Sequence, residues 1–280
     1  MSLLNPIVDL HPQNRPLIMG IVNTTPDSFS DGGQFDDEVS ALKHAMKLID
    51  EGADIIDIGG ESTRPGAAEV PLEIERARTI GLIKALRAQS KIAISIDTRK
   101  PQIAEAAVKA GANMWNDVTA LSYSNNSLAI AANLKVPIVI MHAQGTPETM
   151  QDCPGYKDVT TDILSYLSAR MAAAIASGVK RENIILDVGI GFGKTLEHNL
   201  ALIANLQKFA ALGRPILFGA SRKSFIGMLD KDAKDPNDRL GGSLGAALIA
   251  SAKGAAILRV HDVRATKQAL ILQTAVLAQQ

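Results

Sequence analysis

The chain has 280 residues, 46% of them hydrophobic, with 29 Lys and Arg balanced by 29 Asp and Glu and a single cysteine. A net charge of zero argues against nucleic acid or a membrane surface as partner, since both favour a basic excess. No apolar run approaches the roughly 18 residues of a membrane span, and Cys153 has no second cysteine to pair with, so a reducing cytoplasm is the expected setting.

The opening MSLLNPIVDLHPQNRP carries no basic stretch followed by an apolar one, so no secretory leader is expected. Residues 1–16 instead predict a lead-in that closes the bottom of the fold. Eight β-branched runs follow: LIMGIVN (17–23), ADIIDIGG (53–60), KIAISID (91–97), MWNDV (114–118), PIVIMHA (137–143), IILDVG (184–189), PILFGAS (215–221) and AAILRVHD (255–262). Each is apolar nearly throughout, as a parallel strand covered on both faces must be.

Between the runs, alanine-, leucine- and lysine-rich stretches predict helices at 37–51, 72–89, 101–110, 126–134, 158–177, 196–211, 237–253 and 263–278. Strand–helix repeated eight times predicts a (β/α)₈ TIM barrel, and the length suits a single domain over 1–280. Helices return to strands through short joins with Gly52, Gly111, Gly178, Gly213 and Gly254, which read as helix stops.

Strands leave for helices through longer joins. Loops 1 (TTPDSFSDGGQFD, 24–36) and 2 (ESTRPGAAEVP, 61–71) both exceed the usual 2–6 residues or so, as lids or substrate clamps at a catalytic face do. The run DKDAKDPNDR (230–239) reads as a solvated excursion. The last helix, VRATKQALILQTAVLAQQ, is apolar on more than one face, and part of it is expected to bury against a second subunit.

Barrels of this kind place active sites where strands end, and here the ends carry polar residues. Alternation puts Asp97 on one face with Ser95, Asn116 with Met114, Asp187 with Ile185, and Arg259 with Ile257 and His261. Trp115 then faces the helices, and Asp57 lies deeper, as support behind the site residues or as interior structure. Asp97, Asn116 and Asp187, with Lys223 near, form an acceptor group suited to a planar heterocycle with an amino-amide edge. Met141 and Phe192 are candidate apolar walls for it, and Gly219 a neighbour on the seventh strand.

Asn23, Thr63, Arg64, Arg259 and His261 form a second, cationic or amide group suited to a diphosphate. Mg²⁺ takes one or two protein oxygens beside substrate phosphates, a mode that Asn23 suits. His142 lacks a spaced partner and reads as structural or as support behind the site residues. The run DVGIGFGKT (187–195) mimics a phosphate-binding loop, but Val188 occupies the position of its first glycine.

The chain resembles the dihydropteroate synthase family of pterin-binding TIM barrels. The resemblance rests on GIVNTTPDSFSDGG (20–33), DIGGESTRPGA (57–67), ISIDTRKP (94–101), NDV (116–118), ILDVGIGFGKT (185–195), SRKSF (221–225) and LRVHDV (258–263). It implies condensation of 6-hydroxymethyl-7,8-dihydropterin diphosphate with p-aminobenzoate, with Mg²⁺, a homodimer and competition by sulfonamides. It also implies that Asp97, Asn116, Asp187 and Lys223 hold the pterin, and that Thr63, Arg259, His261 and Asn23 hold diphosphate, Asn23 also touching Mg²⁺. Ser221 would receive the p-aminobenzoate carboxylate, and Phe29, Thr63, Arg64 and Pro65 would close over that substrate. Arg259, His261 and Lys223 are the expected catalytic residues. A pterin-dependent methyltransferase barrel and a non-catalytic pterin-binding paralogue are the alternatives.

Overall fold

The computed structural model describes residues 15–24, 34–62, 64, 66–146 and 148–279, with backbone alone for 34–37. Eight parallel strands close into a barrel in sequence order: β1 (Leu17–Asn23), β2 (Ile55–Gly59), β3 (Ala93–Asp97), β4 (Met114–Asp117), β5 (Ile138–Met141), β6 (Ile184–Asp187), β7 (Ile216–Phe218) and β8 (Ile257–Val260). β8 closes on β1 with Met19 beside Arg259. The last seven strands are shorter than the apolar runs: β3 drops the start of its run, β4 and β6 drop the end, and Asp97, Asn116 and Asp187 stay in the ladder. The expected lead-in lies outside the described residues apart from its end, where Arg15 grips Asp54 at 2.7 Å.

Around the barrel run α1 (Gln34–Glu51), α2 (Leu72–Gln89), α3 (Pro101–Ala110), α4 (Ser127–Leu134), α5 (Val159–Ala176), α6 (Leu196–Ala204), α7 (Ser224–Leu229), α8 (Leu240–Ala252) and α9 (Val263–Leu277). Local chemistry sets their ends. Asp158 caps α5 by accepting from Thr161 N–H, and Thr195 and His198 form a reciprocal capping box on α6, satisfying donors that a first turn leaves open. The five expected glycine stops all lie at positive φ, from 65° at Gly213 to 120° at Gly111.

Two helices differ from expectation. The stretch 196–211 is α-helical only to Ala204 and tightens into a 3₁₀ turn over Leu206–Leu212, since the Asn205 amide binds the Ala201 carbonyl and competes with the backbone. The helix expected over 237–253 starts as a 3₁₀ turn over Pro236–Arg239 and becomes α8 only at Leu240, with the short α7 before it as an unforeseen element. Pro236 and the capping Asp235 fix that turn before α8 can begin.

The core has two compartments. Strand residues facing outward pack under the helices with Trp115, whose indole N–H donates to the Thr98 carbonyl at 2.8 Å. Residues facing inward form a floor of Met19, Ile55, Ala93, Met114, Val139, Ile185, Leu217 and Ile257. Above that floor the interior turns polar.

Candidate active site

Two residues further along each strand, the inward face carries Ile21, Asp57, Ser95, Asn116, Met141, Asp187, Gly219 and Arg259. Arg259 organises this layer: Nε donates to Asp57 Oδ2 and Nη2 to Asp97 Oδ2, each at 2.6 Å. Asn116 Nδ2 donates to the same Asp57 oxygen at 3.2 Å. Asp57 is fully buried, and a guanidinium lowered into such a place needs carboxylate partners to offset lost hydration. The cationic and acceptor groups therefore meet at Arg259 rather than standing apart. Gly219 lies against it: a Cβ there would sit in ordinary contact, 3.6 Å from Arg259 Cβ.

Electrostatics follow from this packing. Burial lifts the Asp97 carboxyl to about 7 against the pull of Arg259, with Asp57, Glu75 and Asp117 adding to the rise. Burial also raises Asp187, although Lys223 opposes it. Lys223 is pushed down to about 8 by burial, with Asp187 pulling the other way. Despite burial, Asp57 and Asp97 keep Arg259 above its ordinary value, so its charge is permanent.

The segment after β6 forms one wall. Asp187 Oδ1 accepts from Gly189 N–H at 2.7 Å, and Gly189 sits at φ 68° with its α-carbon against the His142 carbonyl. A Cβ there would fall 1.9 Å from that oxygen, so no side chain fits. Phe192 lies beneath the Lys223 ammonium, 4.5 Å from ring centroid to Nζ, and Lys223 also donates to the Ile190 carbonyl.

Lys194, passed over in the sequence because its motif mimicked a phosphate loop, is buried. It reaches the Phe192 carbonyl at 2.9 Å and His142 Nδ1 at 3.0 Å. Burial and Lys194 push His142 down to about 3, so its ring is neutral and braces the wall, the structural role expected of it.

The ends of β7 and β8 form the other wall. Ser221 Oγ lies 3.1 Å from His261 Nδ1 and accepts from His261 N–H at 3.2 Å. It precedes the six-residue α7 by three positions, so its partner is His261 rather than a helix end. Burial, then Arg259 and Arg222, push His261 down to about 3. The imidazole is therefore neutral here, not the cation expected from sequence, and Nε2 is the nitrogen turned from Ser221. Arg222, between Ser221 and Lys223, holds φ 59°. A fork to Asp262 at 2.6 and 3.0 Å keeps it there, as does Ser243 accepting from its N–H at 2.8 Å. Nothing in the sequence signalled that strained geometry.

A cleft of about 700 Å³ opens over these residues, lined by Asn23, Arg64, Asp97, Phe192, Ser221, Lys223, Arg259 and His261. Asn116, Met141 and Asp187 are buried beneath it. Pro236 and Arg239 also line it, so the charged excursion contributes its far end to the mouth. Phe29, Thr63 and Pro65 lie outside the described residues. Among the described residues no group of three or more His, Cys, Asp or Glu stands ready for a metal, and no helix is long and apolar enough to cross a membrane.

Residues 19–261 match the family model described as pterin binding enzyme. Over 265 residues the chain is 45% identical to the dihydropteroate synthase of Escherichia coli K12, covering 95% of this chain and 93% of that protein. A Xanthomonas albilineans dihydropteroate synthase structure with 4-aminobenzoic acid superposes with a TM-score of 0.89 at 46% identity, covering 94% of each chain. A structure of the synthase from that organism in complex with 7,8-dihydropteroate gives 0.86 at 44% identity, covering 94% of each chain.

Proposed function

From its membership of the pterin binding enzyme family, to which this chain belongs, we infer that it is a transferase carrying out the dihydropteroate synthase reaction. It joins 6-hydroxymethyl-7,8-dihydropterin diphosphate to p-aminobenzoate, giving 7,8-dihydropteroate and diphosphate. The observation that carries this reading is one barrel mouth where buried carboxylates and a permanent guanidinium share hydrogen bonds. Acceptors for a pterin edge and a cradle for diphosphate then lie side by side. Omitting each component in turn tests it: 7,8-dihydropteroate forms only with both substrates present, and pterin binding without product under any condition would contradict it.

Asp97, Asn116 and Asp187 take the N–H edge of the pterin, with Met141 and Phe192 as its apolar walls and Lys223 beside it. Arg259 and His261 Nε2 face the diphosphate, joined by Asn23 and Thr63. As the methylene C–O bond breaks, charge gathers on the departing diphosphate and the methylene turns positive. Arg259 stabilises the first and Asp97 the second, without reorganising. The arylamine nitrogen then forms the new C–N bond and gives up a proton. Ser221 receives the p-aminobenzoate carboxylate, while Phe29, Thr63, Arg64 and Pro65 close over that substrate. Arylsulfonamides, which share the arylamine, compete with it there.

A magnesium ion fits the site in one mode. A Cβ on Gly59 would lie 3.8 Å from Asn23 Oδ1 and 3.7 Å from Asp97 Oδ2, so a bare glycine leaves a small oxygen-edged space beside Asn23. One amide oxygen suits an ion that keeps its waters and shares substrate phosphates. When bound, the ion would neutralise charge on the leaving diphosphate.

Free-enzyme ionisations give a pH signature, because kcat/KM reports the groups of the unliganded site. Below about 7 a protonated Asp97 loses the charge that attracts pterin donors. Above about 8 Lys223 loses its own charge. The kcat/KM for the pterin substrate is therefore bell-shaped, and Lys223→Met removes the alkaline limb. An alkaline limb that persists in Lys223→Met would assign it to another group.

The assembly we propose is a cytoplasmic homodimer. Val263, Thr266 and Leu270 of α9 pack inward, while Ile271, Leu272, Val276 and Leu277 stand 50–67% exposed beside Ile249 of α8. An apolar patch of this kind is unusual on a monomer's surface. Leu272→Lys is expected to halve the sedimenting mass without lowering the melting temperature. An unchanged mass would place the interface elsewhere.

A further inference from the structure

Loop 2, between β2 and α2, leaves and rejoins the barrel through one side chain. Glu61, with 6% of its side chain exposed, accepts from Val70 N–H at 2.7 Å, so a single carboxylate spans the neck of the loop. The same carboxylate receives Arg99 Nε at 2.9 Å, Arg99 Nη2 at 3.1 Å and Lys100 Nζ at 3.0 Å. Burial alone would raise this carboxyl; Arg99, Val70 and Lys100 outweigh it and hold it below its ordinary value, so it is ionised.

The cations belong to the turn that follows Asp97, and each has a second anchor. Lys100 donates to the fully buried Glu75 at 2.7 Å. Arg99 approaches Glu69 at 3.5 Å and lies 5.1 Å over the Tyr123 ring, whose hydroxyl donates to Glu69 at 2.6 Å. Ion pairs of this burial add little net stability compared with an apolar replacement of equal volume. What the network supplies is a fixed distance between the neck of loop 2 and the turn carrying Asp97. Glu61, Ser62 and Arg64 all line the cleft.

We propose that Glu61 is a positioning residue for the second substrate, clamping the neck of loop 2 to the Arg99–Lys100 turn so that Ser62 and Arg64 are held over the arylamine's place. This rests on the reading of loop 2 given above. Glu61 does no chemistry itself: it acts through Ser62 and Arg64.

Glu61→Gln removes the charge at nearly equal volume. Lys100 keeps Glu75 and Arg99 keeps Glu69, so neither cation is stranded and the barrel retains its fold. The KM for p-aminobenzoate is expected to rise at least about tenfold, since misplacement by an ångström can cost a hundredfold. The dissociation constant for the pterin diphosphate stays within about twofold, because its acceptors are untouched. Val70→Pro removes the donor across the neck without altering any charge, and is expected to raise the same KM.

Variants that leave the p-aminobenzoate KM unchanged, or that weaken pterin binding equally, would overturn the proposal. Arg64→Ala then separates the causes. If it raises the p-aminobenzoate KM while Glu61→Gln does not, only the clamp is wrong. If neither moves it, the reading of loop 2 fails as well.

Discussion

Arg259→Ala is expected to lower kcat by about 10²–10³-fold, the loss that follows removal of one preorganised donor from a developing oxyanion. Among the described residues the guanidinium is the one group bonded to both Asp57 and Asp97, and its charge survives at any physiological pH. Stability falls as well. Without Arg259, two carboxylates face each other near the barrel floor, one of them fully buried, and breaking a buried pair by removing one partner costs about 3–5 kcal/mol.

That loss carries its own pH signature. A stranded carboxyl has its folded pKa raised above the unfolded value, so the folded variant binds protons more readily than its unfolded chain. Its stability therefore recovers as pH falls toward the unfolded carboxyl range and is lost as pH rises through the raised value. Melting temperature against pH for Arg259→Ala measures this, and a deficit independent of pH would show that the two carboxylates are not left uncompensated. Arg259→Lys keeps the charge but not the fork, and falls between the wild type and the alanine variant.

Asp187→Asn is expected to act on the other substrate function. The variant keeps the shape and an oxygen for Gly189 N–H, but presents a neutral amide to the pterin donors. Hydrogen bonds to charged groups contribute about 1.5–3 kcal/mol, so the pterin dissociation constant should rise by about 10–150-fold. Turnover at saturating pterin changes less than about tenfold, since Arg259, His261 and Ser221 are undisturbed. Calorimetric titration beside steady-state kinetics reads both numbers. A variant that binds pterin normally but turns over slowly would move Asp187 from binding to chemistry.

These effects belong to residues whose placement was legible for a definite reason. A parallel strand buried on both faces is apolar along its length, so the few polar residues at its end stand out, and alternation assigns their face. That logic located Asp97, Asn116, Asp187, Arg259 and His261 and put Trp115 outside the barrel, where it packs under the helices.

Bonds that close the barrel left no such trace. Arg259 and Asp97 are 162 residues apart, and no local pattern states that a cation from β8 will bond the acceptor of β3. Nor does it state that His261, half-buried near Arg259, loses its proton. Nothing local marks Lys100, Glu61 and Glu75 in the sequence, because burial of an ion pair depends on three elements at once. The break between α7 and α8 did have a signal, Pro236 after Asp235, but the surrounding charge run reads equally as a solvated loop. Phe29, Thr63 and Pro65 were named from motifs and lie outside the described residues.

The most direct test sets pterin diphosphate binding and single-turnover product formation side by side for the wild type, Asp187→Asn and Arg259→Ala. A barrel mouth that holds the pterin with carboxylates and expels diphosphate with Arg259 gives weak binding with near-normal saturated turnover in the first variant. In the second it gives slow turnover of pterin that still binds. Equal loss of pterin binding in both, with the chemical step intact, would contradict that division and leave Arg259 as a pterin ligand only.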